Sequence, residues 1–361
     1  MELSTSSAYY AVSKHVGLPL PPSPSPPPSQ SSNSNNDSNN DSNNGLSSDS
    51  SDRVHKALDA FLSTYYLSKF SKQIALTYVS KIAADSTPDQ DRVKKWLMRQ
   101  MNKTLSPPPN CSPWQRGCPE KLPLLTALPV WPTSEFSWVP RLESSFPVIL
   151  SELLSLRSST SSGFQPYRAP STGDLDVGDS CGVSATDKGS WNVFYLSLGS
   201  VMDFSSNRSL CPKTCEILES IPGIYGHSFF SCLAPNSHIT KHNGPTNKKL
   251  RCFFPLICQD NARLRVGSVE NVPLKKGKVL IWDDSFEHES WNDDDSSRIT
   301  LIFDVWHPET TVKERKFLSF LGNSQLRAQK KIVEMSGNKD NFFSIIDRAQ
   351  YLEVAKEELW T

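Results

Sequence analysis

The chain has 361 residues and no net charge, because 38 lysines and arginines balance 38 aspartates and glutamates. Without a basic block it lacks the electrostatic footprint of a nucleic-acid-binding protein, so we expect no nucleic-acid partner. No run of about eighteen apolar residues is present, so we expect no membrane span.

Residues 1–52 differ in composition from the rest of the chain. The stretch "PPSPSPPPSQSSNSNNDSNNDSNN" contains Pro, Ser, Asn and Asp but nothing apolar apart from its prolines. Such a segment cannot bury enough surface to offset its chain entropy, so we predict that residues 1–52 are disordered. Prolines at this density also adopt the extended helix that SH3-type partners bind, although most such tracts are spacers.

The first residues, "MELSTSSAYYAVSKHVG", lack the basic and apolar regions of a secretory signal, which predicts a cytoplasmic protein. Their Ser-rich, acid-poor composition also fits an organelle transit peptide weakly, so import into an organelle stays open. The eight cysteines are then expected to be reduced thiols. Cys211 and Cys215 of "CPKTC" could pair or bind metal if oxidised or clustered, but two ordinary thiols are the favoured interpretation.

Residues 53–139 are predicted to be a helical and irregular region. From Arg53 to Asp85, apolar residues recur at three-four spacing, which indicates one or two amphipathic helices. A Ser/Thr cap followed by Pro88 predicts the start of another helix. Residues 106–140 are rich in Pro and Trp and indicate an irregular connection, after which "SSFPVILSELLSL" resumes helical periodicity.

After about residue 190 the pattern changes to short runs rich in Val, Ile, Phe and Trp, separated by turn clusters. Such runs predict an antiparallel sandwich or barrel. Beyond Pro308 the chain becomes charged and helical, and residues 321–361 are predicted to form a helical tail. The predicted strands are "SWNVFYLSL", "HSFFSCLA", "LRCFFPLIC", "ARLRVGSVE", "KVLIWDDS" and "RITLIFDVWH".

Two of the seven histidines lie in "HITKHNGPTN". Gly244 and Pro245 would end a helix at once, so a strand with His238 and His242 on one face is favoured. A lone histidine on a strand is more often structural than a metal ligand, which for His242 alone favours the structural interpretation.

The surroundings of His288, in "DDSFEHESWN", shift the interpretation from structural histidines toward metal ligands. We interpret the following "NDDDSS" as a hairpin turn, which would set His288 opposite Arg298 on paired strands. A buried arginine beside a histidine needs an anion to neutralise it. A metal on the histidine and a carboxylate on the arginine would satisfy both, since arginine grips carboxylates bidentately.

The segments "HITKHNGPTNKKLR", "DDSFEHESWN" and "RITLIFDVWHP" resemble the catalytic domain of the aspartyl/asparaginyl β-hydroxylase family. Members are iron(II)- and 2-oxoglutarate-dependent oxygenases on a double-stranded β-helix. The resemblance covers about residues 140–320. It implies a mainly β fold with flanking helices (α+β), a jelly roll or cupin-like oxygenase domain.

By position, the resemblance implies a role for each matching residue. His242 and His288 correspond to the iron-ligating histidines. Ser231 and Arg298 correspond to the pair that holds the distal carboxylate of 2-oxoglutarate, and Arg251 to the arginine that contacts the other carboxylate. The catalytic set is therefore expected to be His242, His288 and Arg298.

Two positions depart from common patterns. Phe253 stands where the family commonly has a histidine that touches 2-oxoglutarate, so one donor is missing. Gly244 stands where many iron oxygenases have a carboxylate ligand; glycine is usual in this family, and water fills the gap. Asp284 and Glu289 are alternative ligands, which we expect to support the site or its turns instead.

The function that the resemblance implies is a dioxygenase that uses Fe(II), 2-oxoglutarate and O2 to hydroxylate Asp or Asn side chains of a polypeptide substrate. One alternative is a catalytically silent cupin-like binding module; another is a hydroxylase of a small molecule or lipid. A zinc hydrolase would lack a third protein ligand. Retention of His242, His288 and Arg298 together favours an enzyme.

Overall fold

The computed structural model describes residues 56–85, 91–102, 112–158, 163–167, 186–199, 202, 204–259 and 261–336, and all structural statements below concern these residues. The predicted disorder of residues 1–52, any partner of the proline-rich segment and the tail from residue 337 onward lie outside them. The chain divides into two compact units, residues 1–108 with 311–328 and residues 109–310 with 329–361.

The helices are, in chain order, α1 (Lys69–Ala84), α2 (Asp91–Met101), α3 (Val139–Ser144), α4 (Phe146–Ser158), α5 (Ser205–Leu210), α6 (Pro212–Glu219) and α7 (Val312–Ser336), with further helical turns over 56–63. Their positions confirm the predicted helices after residue 53, near residue 145 and after residue 310. None of these helices is both long and apolar enough to cross a membrane.

The first unit is helical and packs around aromatic side chains. The rings of Trp96 and Phe317 meet edge to face at 6.4 Å, and Tyr78 lies 5.6 Å from Phe317. The carboxylate of Glu314 is fully buried and lies 3.2 Å from Arg92. These contacts join α1, α2 and the part of α7 that belongs to this unit.

The strands of the second unit are β1 (Val130–Trp131), β2 (Gln165–Pro166), β3 (Thr186–Lys188), β4 (Trp191–Leu198), β5 (Ile224–Leu233), β6 (Ser237–His242), β7 (Lys249–Ile257), β8 (Ala262–Val266), β9 (Val269–Pro273), β10 (Leu280–Trp282), β11 (His288–Asn292) and β12 (Arg298–Trp306). They confirm all six predicted strand segments. The pair β8 and β9 forms a hairpin within "ARLRVGSVE".

Two antiparallel sheets carry these strands. The larger has the order β1-β10-β7-β12-β5-β4-β2, and the smaller has the order β3-β6-β11-β8-β9. From β5 to β12 the chain passes back and forth between the two sheets, with the β8–β9 hairpin kept within the smaller one, so that β10, β7, β12 and β5 are neighbours in one sheet and β6, β11, β8 and β9 in the other. This is the double-stranded β-helix, which confirms the predicted fold class.

The two faces of the larger sheet differ because side chains alternate along a strand. On β12, Ile299, Leu301 and Phe303 join the hydrophobic core with residues of α3, α4 and α6. Arg298 and Asp304 belong to the opposite face, which looks toward the smaller sheet. The interior between the sheets is therefore polar, and the functional residues lie there.

Helix α4 shows how the outer face is covered. Pro147 lies in its first turn, where a missing backbone N–H costs nothing. Ile149, Leu153 and Leu156 recur at three-four spacing and are buried in the core. Burying each side chain contributes roughly 1.5–3 kcal/mol, which fixes this helix to the larger sheet.

The predicted hairpin between His288 and Arg298 is wrong. Strand β11 pairs with β6 and β8, whereas β12 pairs with β5 and β7. The "NDDDSS" segment therefore crosses from one sheet to the other. The connection predicted over residues 106–140 also contains a short strand, β1, which pairs with β10 at the edge of the larger sheet.

Candidate active site

His242 and His288 face each other between the two sheets. They are Cα partners across β6 and β11, and their ring centroids lie 4.0 Å apart with the planes inclined at 59°. His288 is 4% exposed. The structure thus brings together the two histidines that the sequence singled out, from segments far apart in the chain.

A β-bulge in β6 sets the direction of His242. The pairing of β11 with β6 shifts register between His288 and Ser290, so β6 carries one extra residue there. An extra residue reverses the alternation of side chains that follow it. His238 therefore lies on the outer face, stacked on Trp291 at 4.9 Å, while His242 turns inward. The prediction that His238 and His242 share a face is wrong.

The hydrogen bonds of both rings fix which nitrogen carries the proton. His242 Nδ1 donates to the carbonyl of Thr240 at 2.7 Å, and His288 Nδ1 donates to the carbonyl of Phe286 at 2.8 Å. The lone pair of each imidazole is therefore on Nε2. Burial lowers the pKa of both histidines; for His288, where His242 adds to the effect, it falls well below its usual range.

This donor set fits Fe(II), because two neutral imidazoles with open neighbouring positions are ligands that iron accepts. Within the part of the chain that the structure describes, no group of three or more His, Cys, Asp or Glu side chains is placed to hold a metal ion. Neither alternative ligand is grouped with the two histidines: Glu289 pairs with Arg265, and Asp284 accepts from Lys249 at 2.7 Å through Oδ2. Water or a cosubstrate would have to complete the metal's coordination.

Arg298 is a buried cation inside the jelly roll. It is 3% exposed, and its guanidinium donates to Ser290 Oγ at 3.0 Å and to the carbonyl of Trp291 at 3.2 Å. Among the described residues no carboxylate forms an ion pair with it. Burial lowers the pKa of Arg298 to about 10, so it stays charged at neutral pH. A buried charge without a counterion is costly, which marks this position as an anion site.

Ser231 and Arg251, the other predicted cosubstrate residues, also lie in the interior. Ser231 Oγ accepts from Trp191 Nε1 at 2.8 Å. Arg251 grips Asp304 with two bonds of 3.0 and 3.2 Å and lies 3.3 Å from Asp284. Its charge is therefore already matched by carboxylates, in contrast to that of Arg298. Its contact with 2-oxoglutarate stays a prediction.

Aromatic side chains line the same interior beside the histidines. Phe253 meets Trp282 edge to face at 5.2 Å, and Trp282 meets His288 at 4.7 Å. Phe253 is 6% exposed. The position at which the sequence lacks an expected donor is thus part of an apolar wall next to the histidine pair.

Residues 143–308 match the family model described as aspartyl/asparaginyl beta-hydroxylase. This domain belongs to the aspartyl/asparaginyl β-hydroxylase family. The human aspartyl/asparaginyl beta-hydroxylase is 33% identical over 218 residues, a match that spans 57% of this chain and 26% of the human protein. The chain therefore corresponds to about a quarter of that relative.

This domain also resembles proteins that are named for other substrates. The ornithine lipid ester-linked acyl 2-hydroxylase of Rhizobium tropici is 32% identical over 200 residues, which cover 54% of this chain and 66% of that enzyme. Among solved structures, a prolyl hydroxylase of Trichoplax adhaerens in complex with a hypoxia inducible factor peptide matches with a TM-score of 0.30 and 13% identity. That match covers 48% of this chain and 81% of the prolyl hydroxylase chain.

This domain also contains a buried network of charges that the sequence-based predictions do not include. Lys249 Nζ lies 2.7 Å from Asp284 and 3.0 Å from Asp304, and His227 Nδ1 lies 3.0 Å from Asp304. Although burial opposes ionisation, Arg251 and Lys249 hold the pKa of Asp304 well below its usual range. The signal was available, because Asp304 interrupts the apolar strand "RITLIFDVW" in phase with Arg298.

Replacing Asp304 with Ala is expected to destabilise this domain by about 3–5 kcal/mol, because the buried Lys249 and the largely buried Arg251 would lose a shared counterion. The free energy of unfolding in urea measures this effect. Asp293 is the matched control, since its ion pair with Arg263 at 3.1 Å is exposed and is worth at most about 1 kcal/mol. Equal losses for both variants would contradict the assigned role of the network.

Gly244 is required by the close approach of a neighbouring residue. Its N–H donates to the carbonyl of Asp284 at 2.6 Å, and a Cβ at this position would lie 2.6–2.7 Å from atoms of Asp284. We expect Gly244→Ala to destabilise the domain by about 1–3 kcal/mol, measured by urea unfolding. Gly322→Ala is the control, because a Cβ there meets nothing within 4 Å. An unaffected Gly244→Ala protein would show that Asp284 moves freely.

Proposed function

We propose that the chain is an iron(II)- and 2-oxoglutarate-dependent dioxygenase that hydroxylates a carbon of its substrate. The observation that carries this proposal is the combination of a convergent neutral histidine pair with Arg298, a buried cation that no described carboxylate neutralises. The pair suits Fe(II), and the arginine suits the distal carboxylate of 2-oxoglutarate. Membership of the hydroxylase family supports the same chemistry.

The residues of the site would have different roles in such a reaction. His242 and His288 would hold Fe(II) through Nε2, and the carbonyls of Thr240 and Phe286 keep both rings in that orientation. Arg298 would bind the distal carboxylate of the cosubstrate. When bound, iron and 2-oxoglutarate would supply the oxidation, in which 2-oxoglutarate, O2 and a C–H bond of the substrate give succinate, carbon dioxide and the hydroxylated substrate.

Asp284 lies where water would complete the site. Its Oδ2 is held by Lys249 and Arg251, whereas Oδ1 is buried without a hydrogen-bond partner. The carboxylate also borders Gly244, the position at which many iron oxygenases carry their acidic ligand. Oδ1 is therefore available to accept a hydrogen bond from water at this position.

For the substrate we propose Asp or Asn side chains of a polypeptide, supported by the family and by the name of the human relative. A second candidate is an acyl chain. The aromatic wall of Phe253 and Trp282 next to His288 favours it, and so does the rhizobial relative, two thirds of which this chain spans. A silent binding module would instead bind ligand without turnover.

The test is succinate formation by the purified protein with Fe(II), 2-oxoglutarate and O2, with and without candidate substrates. We expect metal-dependent succinate, and a mass gain of one oxygen atom on either an Asp/Asn-containing peptide or an acyl lipid. Oxygen on the peptide alone supports the first candidate, and oxygen on the lipid alone supports the second. No succinate with any substrate, despite bound metal, would favour the silent module.

A further inference from the structure

The hydroxyl of Thr300 is buried inside the jelly roll without a hydrogen-bond partner. Thr300 is 1% exposed, and its Oγ1 finds neither donor nor acceptor among the described residues. Buried hydroxyls are nearly always paired, because an unpaired one loses its water without compensation. A hydroxyl left this way in the interior of a binding site indicates a partner that arrives with a ligand.

The position of Thr300 in the fold indicates which ligand would supply this hydrogen-bond partner. On β12, Thr300 lies two residues after Arg298 and four before Asp304, both of which reach into the interior, so by alternation Thr300 belongs to the same face. Across the sheet its Cα partners are Ser231 on β5 and Pro255 on β7. Proline offers no backbone N–H, so β7 supplies no donor there.

We propose that Thr300 donates a hydrogen bond to the distal carboxylate of 2-oxoglutarate, which Arg298 and Ser231 also bind. This inference rests on the proposed function. A guanidinium and two hydroxyls on adjacent positions of one sheet face form a donor set for a single carboxylate, whose oxygens accept several hydrogen bonds. Thr300 would thus be a third donor to this carboxylate, in a site where Phe253 replaces a histidine donor that is common in the family.

The experiment measures binding rather than turnover. Calorimetry without O2, with Mn(II) in place of iron, gives the dissociation constant of 2-oxoglutarate for wild type, Thr300→Val and Thr300→Ser. Valine keeps the shape of threonine and carries a methyl group in place of the hydroxyl, so it cannot donate a hydrogen bond and we expect about tenfold weaker binding. Serine keeps the hydroxyl and is expected to bind within about threefold of wild type.

Two further readouts separate ligand binding from a structural role. The variants should bind 2-oxovalerate, which lacks the distal carboxylate, as weakly as wild type does. The free energy of unfolding of ligand-free Thr300→Val should be unchanged or higher, because an unsatisfied buried hydroxyl has been removed.

The outcomes are distinguishable. Equal affinity of wild type and Thr300→Val for 2-oxoglutarate would overturn the inference and leave the proposed function standing. Equal losses for 2-oxoglutarate and 2-oxovalerate, or a marked loss of stability, would show that the threonine is structural and would overturn it as well. A wild-type protein that binds Mn(II) but no 2-oxoglutarate would refute the proposed function, and this inference with it.

Discussion

Replacing His242 or His288 with Ala is expected to abolish iron-dependent formation of succinate from 2-oxoglutarate. The two imidazoles are the only protein ligands the site offers among the described residues, so losing one removes half of the protein's hold on the metal. Disturbing residues that merely support a metal ligand costs about 10–100-fold, so removing a ligand should lower the rate by more than a hundredfold.

His238→Ala is the matched control for both variants. His238 belongs to the same strand as His242 but stacks on Trp291 at the outer face, with 20% of its side chain exposed. Succinate release by this control should match that of wild type. If His242→Ala or His288→Ala kept wild-type rates, the histidine pair would be structural and the assignment as a metal centre would be wrong.

Replacing Arg298 with Met is expected to raise the dissociation constant of 2-oxoglutarate by about tenfold to a hundredfold. The lost interaction is a charge-assisted hydrogen bond to a carboxylate, worth roughly 1.5–3 kcal/mol. The same substitution should not lower the stability of the ligand-free protein. A buried cation without a counterion gives way to an apolar side chain, so the free energy of unfolding should be unchanged or higher.

Calorimetry with Mn(II) and urea unfolding measure these two effects. Arg263→Met is the control, since Arg263 is exposed, pairs with Asp293 and belongs to the outer face. It should change neither the affinity for 2-oxoglutarate nor stability by much. A large fall in stability for Arg298→Met without loss of affinity would show that the guanidinium supports the fold instead of the ligand.

Much of the fold follows from local chemistry that the sequence displays. Strand β12 is rich in β-branched and aromatic residues, and its polar members Arg298, Thr300 and Asp304 are separated by even numbers of positions. Helix α4 carries Pro147 in its first turn and an apolar stripe behind it. Such features do not depend on distant parts of the chain, so they could be predicted.

The arrangement of the site depends on contacts that no local pattern encodes. The "NDDDSS" segment is as suited to a sheet crossing as to a hairpin, so the pairing of His288 with His242 instead of Arg298 was not visible. The bulge in β6 adds one residue between His238 and His242 and reverses their faces. Only the partner strand shows that an extra residue is present.

The charges of Lys249, Arg251 and Asp304 pose a similar problem. The sequence shows cations and a carboxylate on two strands, but not that β7 and β12 are neighbours. Once they are, Arg251 and Asp304 become Cα partners and form a buried pair. Arg298 lies at the opposite end of β12 from Asp304. No acidic side chain among the described residues pairs with it, so its guanidinium is available to bind an anionic ligand.

The most direct test of the account is metal binding itself, measured by anaerobic calorimetry of the full chain with Fe(II) in the presence of 2-oxoglutarate. The structure predicts one metal ion per chain for wild type and for His238→Ala, with binding lost in both His242→Ala and His288→Ala. A wild-type protein that takes up no metal, or a His242→Ala protein that binds it as tightly as wild type, would contradict the account.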